Sequence, residues 1–548
     1  MTTTTTREEA AQQGAEQAKV DYDVVIVGAG FSGMYQLHKL RQQGMTAHVF
    51  ETGDDVGGTW FWNRYPGARV DIESHHYSFG FDEQLQQEWD WQERYAPQPE
   101  LLAYARHVSE RYDLRKDISF STKVEALDWD DASGTWTVRT DNGDPVTCRF
   151  VILATGCLSV PQRPKFEGLD DFKGELYYTS SYPKEGVDLS GKKVAVIGTG
   201  SSGLQTITAI APEVGELTVY QRTPSFAVPA RNYELSDEDR QKYKANYSEI
   251  RTKNFASKVG FDDGQKAGVL ASELPPDEVR AMQDDRWEFG GLSYGFAFGD
   301  ILLDAAVNEQ FAEYVRERIR ERVKDPELAE KLSPRTYPIA SKRMCVDTGY
   351  FEVYNQDNVT LIDIHEKPIE KFTEGGIIAG GEEREYDVVI LATGFDAMTG
   401  AVNKIDITAR GKKLREHWAH GPQTYLGLMV SGFPNLLMIT GPQSPSVLTN
   451  MMTSIEYDVD WISRLLTDMR DRGKTRIEAR PESEQWWVKA NNDIAALTLM
   501  PQAHSWYMGA NIPGKEQVFM PWVGGSDVYM AICEGIALAG NYHGFKMQ

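Results

Sequence analysis

Asp21–Gly33 reads DYDVVIVGAGFSG and Lys192–Gly203 reads KKVAVIGTGSSG, and these two stretches decide the fold. Each opens with a run of β-branched residues suited to a strand buried on both faces, passes into glycines, and continues as a helix-forming segment. In the first copy the strand leads into FSGMYQLHKLRQQG; in the second, Val194 to Ile197 read as strand and Gly203 onward as helix. A strand–turn–helix unit that occurs twice predicts an α/β protein with two Rossmann-like dinucleotide-binding domains.

The chemistry of the two turns differs. In the first, Gly28, Gly30 and Gly33, with Phe31 and Ser32 between them, allow a tight turn and close approach of a pyrophosphate, and Glu51 ends the next strand, where it can accept hydrogen bonds from a free ribose hydroxyl. This is the pattern expected for FAD. In the second, Gly198, Thr199, Gly200, Ser201, Ser202 and Gly203 precede the strand ELTVYQ, which delivers Arg222 and Thr223 where the first copy has its carboxylate. A guanidinium and a hydroxyl favour a ribose phosphate, hence NADPH over NADH. Two such sites imply hydride transfer from nicotinamide to flavin. The sequence offers no CxxC pair or metal cluster to take the electrons onward, which leaves molecular oxygen as the acceptor.

Working outward, 57 Lys plus Arg against 81 Asp plus Glu give a net charge of −24, which disfavours nucleic acid and anionic membranes as partners. Cys148, Cys157, Cys345 and Cys533 are too scattered for a disulfide framework, so a reducing cytoplasm is expected, and Cys157 and Cys345, with no adjacent His to activate them, read as buried, unreactive thiols. No signal peptide or membrane span is evident, and residues 1–20 read as a disordered tail. The expected order is a first FAD part over 21–155, a first NADP part over 156–233, a helical insertion over 234–335, a second NADP part over 336–385, and a second FAD part over 386–548. Within the insertion Asn308 is placed to cap a helix carrying Phe311, Tyr314, Val315 and Ile319, and the late segment REYDVVILATGFDAMTG echoes RFVILATGCLSVP.

Gly57–Asp71, GGTWFWNRYPGARVD, matches the pattern (A/G)GxWxxxx(F/Y)P(G/M)xxxD at every fixed position. On that motif the chain resembles the type I Baeyer–Villiger monooxygenases of the class B flavoprotein group. The segments SKRMCVDTGYFEVYNQDN, TYLGLMVSGFPNLLMITGPQSPS and SWYMGANIPGK resemble the phenylacetone and cyclohexanone monooxygenases, the phenylacetone type most. The resemblance implies conversion of a ketone to an ester or lactone with NADPH and O2, through a flavin-4a-peroxide. It implies that Arg343 holds the peroxide anion and the later oxyanion, and that Asp71 pairs with Arg343. Cofactor contacts are implied for Gly58, Thr59, Trp60 and Tyr65, for Lys342 near the ribose phosphate, and for Trp506 near the nicotinamide nucleotide. A permanently charged guanidinium suits this role, because it stabilises an anion without giving up its proton.

A second pattern of the family, FxGxxxHTxxWP, is altered: Phe172, Gly174, Thr179 and Pro183 are kept, but Tyr178 and Tyr182 replace the histidine and the tryptophan. Oxygenation of a soft nitrogen or sulfur atom, and a non-oxygenating FAD/NADPH redox sensor, are the competing readings. No metal is expected, the partners are a small ketone and oxygen, and the assembly is expected to be a monomer or weak oligomer.

Overall fold

Val24, Val25 and Ile26 have no exposed surface, so the first strand must lie between two covering layers. In the computed structural model, which describes residues 19–262 and 269–548, β1 (Tyr22–Val27) runs into α1 (Phe31–Gln42) and then β2 (Ala47–Phe50). Residues 1–18 of the expected tail lie outside the described residues. β1 pairs in parallel with β2 on one side and with β3 (Val146–Leu153) on the other, and Leu436–Met438 continues the parallel set beside β3. With antiparallel additions this becomes a nine-stranded sheet. Each fully buried Val or Ile in such a strand contributes about 1.5–3 kcal/mol.

The second copy builds its own sheet. β4 (Glu175–Tyr178), β5 (Lys193–Ile197) followed by α2 (Ser201–Ile210), and β6 (Glu216–Gln221) are joined by later strands into a five-stranded parallel sheet. Between them comes the helical segment, with α3 (Asp237–Ala256), Pro276–Phe289 and α4 (Ala305–Arg322). It grows from a stem in which Ala227–Pro229 pairs in parallel with Cys345–Asp347. The cap of α4 is Asp304, whose carboxylate accepts from the amides of Ala306 and Val307, and not Asn308. Asn308 lies inside the helix and buried, where its amide donates to Ile301 and Ile339 carbonyls and accepts from the Ile339 amide. A carboxylate at the position preceding the helix meets the first free amides directly, while an amide one turn in serves a tertiary contact instead.

β7 (Val359–Asp363) and β8 (Val388–Leu391) complete the second sheet in the order β7-β6-β5-β8-β4. The segment expected to reopen the FAD part at 386 therefore belongs to the second sheet, and the chain rejoins the first only later, at Asp406–Ala409 and Leu436–Met438. The echo between the two ATG segments has a structural cause: β3 stands beside β1 as β8 stands beside β5. Gly28 and Gly198 adopt φ of +105° and +109°, and a Cβ on either would lie 2.6 Å from the Ala154 carbonyl oxygen or 2.4 Å from that of Ala392. Only glycine fits both the left-handed turn and the carbonyl of the neighbouring strand.

The chain crosses between the sheets twice, and the crossings pair with each other. Gln162 N donates to Gly394 O at 2.9 Å, Asp396 N to Val160 O at 2.8 Å, and Thr393 Oγ1 to Gln162 O at 2.8 Å, giving a short antiparallel ribbon. Among the described residues no helix is long and apolar enough to cross a membrane.

α5 (Met451–Asp471) packs on α1, with Tyr35 and Gln36 donating to Asp460 and Ser463. It carries Glu456, whose Oε1 accepts from the amides of Gly80 at 2.6 Å and Phe81 at 3.1 Å. Burial pushes this carboxyl up to about 7. Its folded value lies above the ordinary carboxylate value of 4.5, so its stabilising share is present below that value and is lost as pH rises through about 7. Glu456→Gln keeps an acceptor oxygen and removes the ionisation, so it should reduce the loss of stability between about pH 5 and about pH 8 by up to ~3 kcal/mol. Urea midpoints at the two pH values check this; an unchanged pH dependence would refute it.

Candidate functional site

Both glycine turns end at a helix with bare N-terminal amides. Gly30 precedes α1 and Gly200 precedes α2, and neither helix receives a side-chain cap. Such an end attracts a phosphate through its free amides and its dipole. A Cβ added at Gly200 would meet nothing within 4 Å, so open space faces the second turn. At the first turn the backbone of Gly58 closes on Gly30, where a Cβ on Gly58 would sit 2.9 Å from Gly30 Cα. Phe31, Ser32 and Gly33 begin α1, and Ser201, Ser202 and Gly203 begin α2.

Glu51 is buried beside the first turn. Its two oxygens accept from the amides of Ala29 and Gly53, each at 2.7 Å, and burial raises its pKa despite these bonds. Each oxygen keeps a lone pair for a further donor. At the corresponding place in the second sheet, Arg222 is exposed and Thr223 half-buried, and the Thr223 carbonyl accepts from Thr199 Oγ1 at 3.1 Å. Burial and the nearby Arg222 cation push the Lys342 ammonium below its ordinary value, so two positive charges converge here. Lys342 Nζ also lies 4.2 Å over the Tyr337 ring. A paired cation cluster with this repulsion is suited to a doubly charged phosphate.

The segment Gly57–Asp71 ties the two units together. Thr59–Trp62 forms a single helical turn beside the first glycine loop, and Trp60 Nε1 donates to the Tyr77 hydroxyl at 3.3 Å. Tyr65 then reaches α2, where its hydroxyl donates to Gln205 Oε1 at 2.9 Å, and Gly67 passes so close that a Cβ would meet the Gln205 carbonyl at 2.5 Å. Gln205 Nε2 donates in return to Arg69 O at 3.1 Å. Four residues beyond Gly67 stands Asp71. The aromatic Trp62 of the same motif is partly exposed and takes no place in the core.

Asp71 meets Arg343, which lies two residues before the stem strand Cys345–Asp347. Arg343 Nε donates to Asp71 Oδ2 at 2.8 Å, Nη2 donates to Oδ1 at 2.7 Å, and Nη1 donates to Val447 O at 3.2 Å. Burial opposes the charge on the guanidinium, but the Asp71 carboxylate outweighs it and holds the arginine above its ordinary value. The fork-to-fork geometry fixes the plane of the guanidinium as well as its position. Tyr77 and Tyr507 lie close enough for the pair to act on their hydroxyls. Trp506 packs its ring at 4.3 Å against Tyr507, which brings it beside the same site.

Cys157 and Cys345 are both buried and free, and burial pushes each thiol up to about 11, so neither is a nucleophile at neutral pH. Tyr178 ends β4, where the Arg163 guanidinium lies 5.4 Å over its ring, next to the paired crossings. Tyr182 is buried, its hydroxyl has no hydrogen-bond partner among the described residues, and burial pushes it up to about 12.

Gln205, Tyr77, Tyr507 and the Val447 carbonyl were not singled out by sequence. Tyr507 is adjacent to Trp506 and Val447 lies in the loop GPQSPSVLTN, so proximity to flagged positions was the only signal.

Residues 25–268 match the family model described as pyridine nucleotide-disulphide oxidoreductase. A curated relative named Baeyer-Villiger monooxygenase, from Pseudooceanicola batsensis, is 43% identical over 93% of this chain and 93% of its own length. The solved structure titled oxidized steroid monooxygenase bound to NADP is 46% identical with a TM-score of 0.92, covering 96% of this chain and 99% of that one. Cyclohexanone monooxygenase from Rhodococcus sp. Phi1 bound to NADP+ is 40% identical with a TM-score of 0.93, over 96% and 99%.

Asp71→Asn keeps the shape of the carboxylate but leaves a half-buried guanidinium without its counter-charge. The variant should lose about 1–3 kcal/mol of stability, measured by urea unfolding with cofactor content monitored. A variant as stable as the natural chain would mean that the ion pair contributes nothing to the fold.

Proposed function

Because the chain belongs to the Baeyer–Villiger monooxygenases, we propose that it converts a ketone to an ester or lactone with NADPH and molecular oxygen, releasing NADP+ and water. FAD is held at the Gly28–Gly33 turn with Glu51, Gly58, Thr59, Trp60 and Tyr65, and NADPH at the Gly198–Gly203 turn with Arg222, Thr223, Lys342 and Trp506. The uncapped helix N-termini and the converging cations described above fit two phosphate-bearing dinucleotides. When bound, reduced FAD supplies the activated oxygen.

The observation that carries the reading is the doubly hydrogen-bonded Arg343–Asp71 pair at the meeting point of the two units. Three of the five N–H groups of Arg343 are taken by Asp71 and Val447, which leaves two for a substrate oxygen. As the carbonyl carbon is attacked, negative charge develops on its oxygen, and one well-aimed donor stabilises that charge by about 3 kcal/mol. Asp71 holds the guanidinium plane and balances its charge, so the site presents a fixed cation without an unpaired buried charge. The buried Tyr507 and the half-buried Tyr77 beside the pair limit water there.

We place the enzyme in the cytoplasm, as a monomer or weak oligomer. The four free, buried thiols fit a reducing compartment.

Arg343→Ala should abolish ester formation while NADPH still binds. Gas chromatography of products from linear, cyclic, aromatic and thioether-bearing ketones, with stopped-flow absorbance of the flavin, tests both statements. Appreciable ester from the variant would show that the arginine is misassigned, and sulfoxide in place of ester from the natural chain would overturn the proposed reaction.

Arg222→Ala and Lys342→Ala should each weaken NADPH more than NADH, by about tenfold or more in kcat/KM ratio, since a charge-assisted contact to the phosphate is lost. Equal losses for the two nucleotides would remove the phosphate-site assignment.

A further inference from the structure

Just behind Asp71 lies a cavity of about 20 Å³, lined by Asp71, Glu73, His76, Tyr95 and Asp262 among others. That is room for one water molecule. His76 reaches it from the segment following Asp71 and is 5% exposed; its Nδ1 and the nearby Asn254 Nδ2 both lack a well-aligned hydrogen-bond partner among the described residues. An unsatisfied buried ring nitrogen costs about 1–3 kcal/mol, so a partner is expected at this place.

Charge decides what the partner is. Glu73, His75 and His76 bring ligand atoms within 4.8 Å of one another, a spacing that would suit a metal ion. Each carboxylate in the neighbourhood is already matched by a cation, however: Asp71 by Arg343 at 2.7 Å, Glu73 by Arg94, whose Nε lies at 3.0 Å, and Asp262 by Lys253 at 3.3 Å. Arg251 on α3 is a further cation here, with Nη2 donating to Ser78 Oγ at 2.7 Å. Around the pair stand Tyr243 stacked on His75, Phe261 against His76, Asn254 on α3, whose side chain acts on the His76 ring, and Asn450, which donates to the His76 carbonyl. A dication would leave excess positive charge, whereas a neutral donor–acceptor leaves none. Burial, and then the neighbouring His75 ring, holds His76 well below the ordinary histidine value, so the ring is neutral as well.

We propose that this cavity binds one water that links His76 Nδ1 to the Asp71 carboxylate, making His76 a positioning residue for the Asp71–Arg343 pair. Each Asp71 oxygen accepts one bond from Arg343 and has a lone pair left for the water. The water fixes the far side of the carboxylate as the guanidinium fixes the near side. This role rests on the proposed ketone oxygenation, while the water itself does not.

Two substitutions separate the hydrogen bond from packing. His76→Asn sets an amide where Nδ1 stands, and His76→Leu fills similar space without a polar atom. Each is examined by a high-resolution crystal structure and by ester formed per NADPH consumed, with FAD content and thermal midpoint as controls. The natural chain and His76→Asn should show one water in the cavity and similar ester yields. His76→Leu should lose the water and form roughly five- to tenfold less ester per NADPH, with an unchanged rate of flavin reduction. Full ester yield from a folded His76→Leu, an equal loss in both variants, a dry cavity, or a metal ion in the density would each overturn the proposal. If His76→Leu does not fold, the density and the yield of His76→Asn decide. If the natural chain forms no ester from any ketone, the ketone reading fails alone, and the density still decides whether the water is there.

Discussion

The site depends on one ion pair whose partners come from distant parts of the chain. Asp71 ends a segment that leaves the first glycine turn and crosses α2; Arg343 stands at the foot of the stem that carries the helical insertion. Neither unit alone can form the contact. Because carboxylate and guanidinium meet through two parallel bonds, small rotations as well as translations are penalised, and the pair acts as a gauge of how the two units are seated. The preceding residue, Lys342, lies near Arg222 instead, so adjacent backbone positions send one cation to the Asp71 carboxylate and the other to the cation pair beside the second glycine turn.

The two nucleotide units are variations on one solution to the same steric problem. In both, a strand bearing the sequence ATG closes on a glycine whose φ no other residue adopts readily, and a second glycine lets the helix approach. Their divergence lies one strand further on, where Glu51 in one copy and Arg222 in the other set opposite charges beside the same kind of turn. The two turns therefore differ in charge at this one position, with Glu51 buried against the first turn and Arg222 exposed beside the second.

What was legible in the sequence is what short-range physics decides. β1 and β5 announce themselves through buried β-branched runs, and the glycines that follow are demanded by backbone conformation within a few residues. Sheet membership is a long-range property: β8 has the composition of a central strand, and nothing local says which of two similar sheets it completes. The cap of α4 is ambiguous in the sequence because Asp304 and Asn308 are both good capping types, and only the tertiary bonds of Asn308 distinguish them. The Tyr65–Gln205 bond and the surroundings of His76 are equally invisible in one dimension, since their partners lie far off in the chain or in the insertion.

The paired crossings between the sheets carry a kinematic consequence. A body tethered by one strand can tumble freely; a body tethered by two strands that are hydrogen-bonded to each other cannot slide past its neighbour or pull away from it without breaking the ribbon Val160–Gln162 and Gly394–Asp396. Bending at that ribbon is the cheapest relative motion left, and the Tyr65–Gln205 bond and the Asp71–Arg343 pair then fix how far it goes. Tyr178, stacked beneath Arg163 where that ribbon enters the second sheet, sits on the axle.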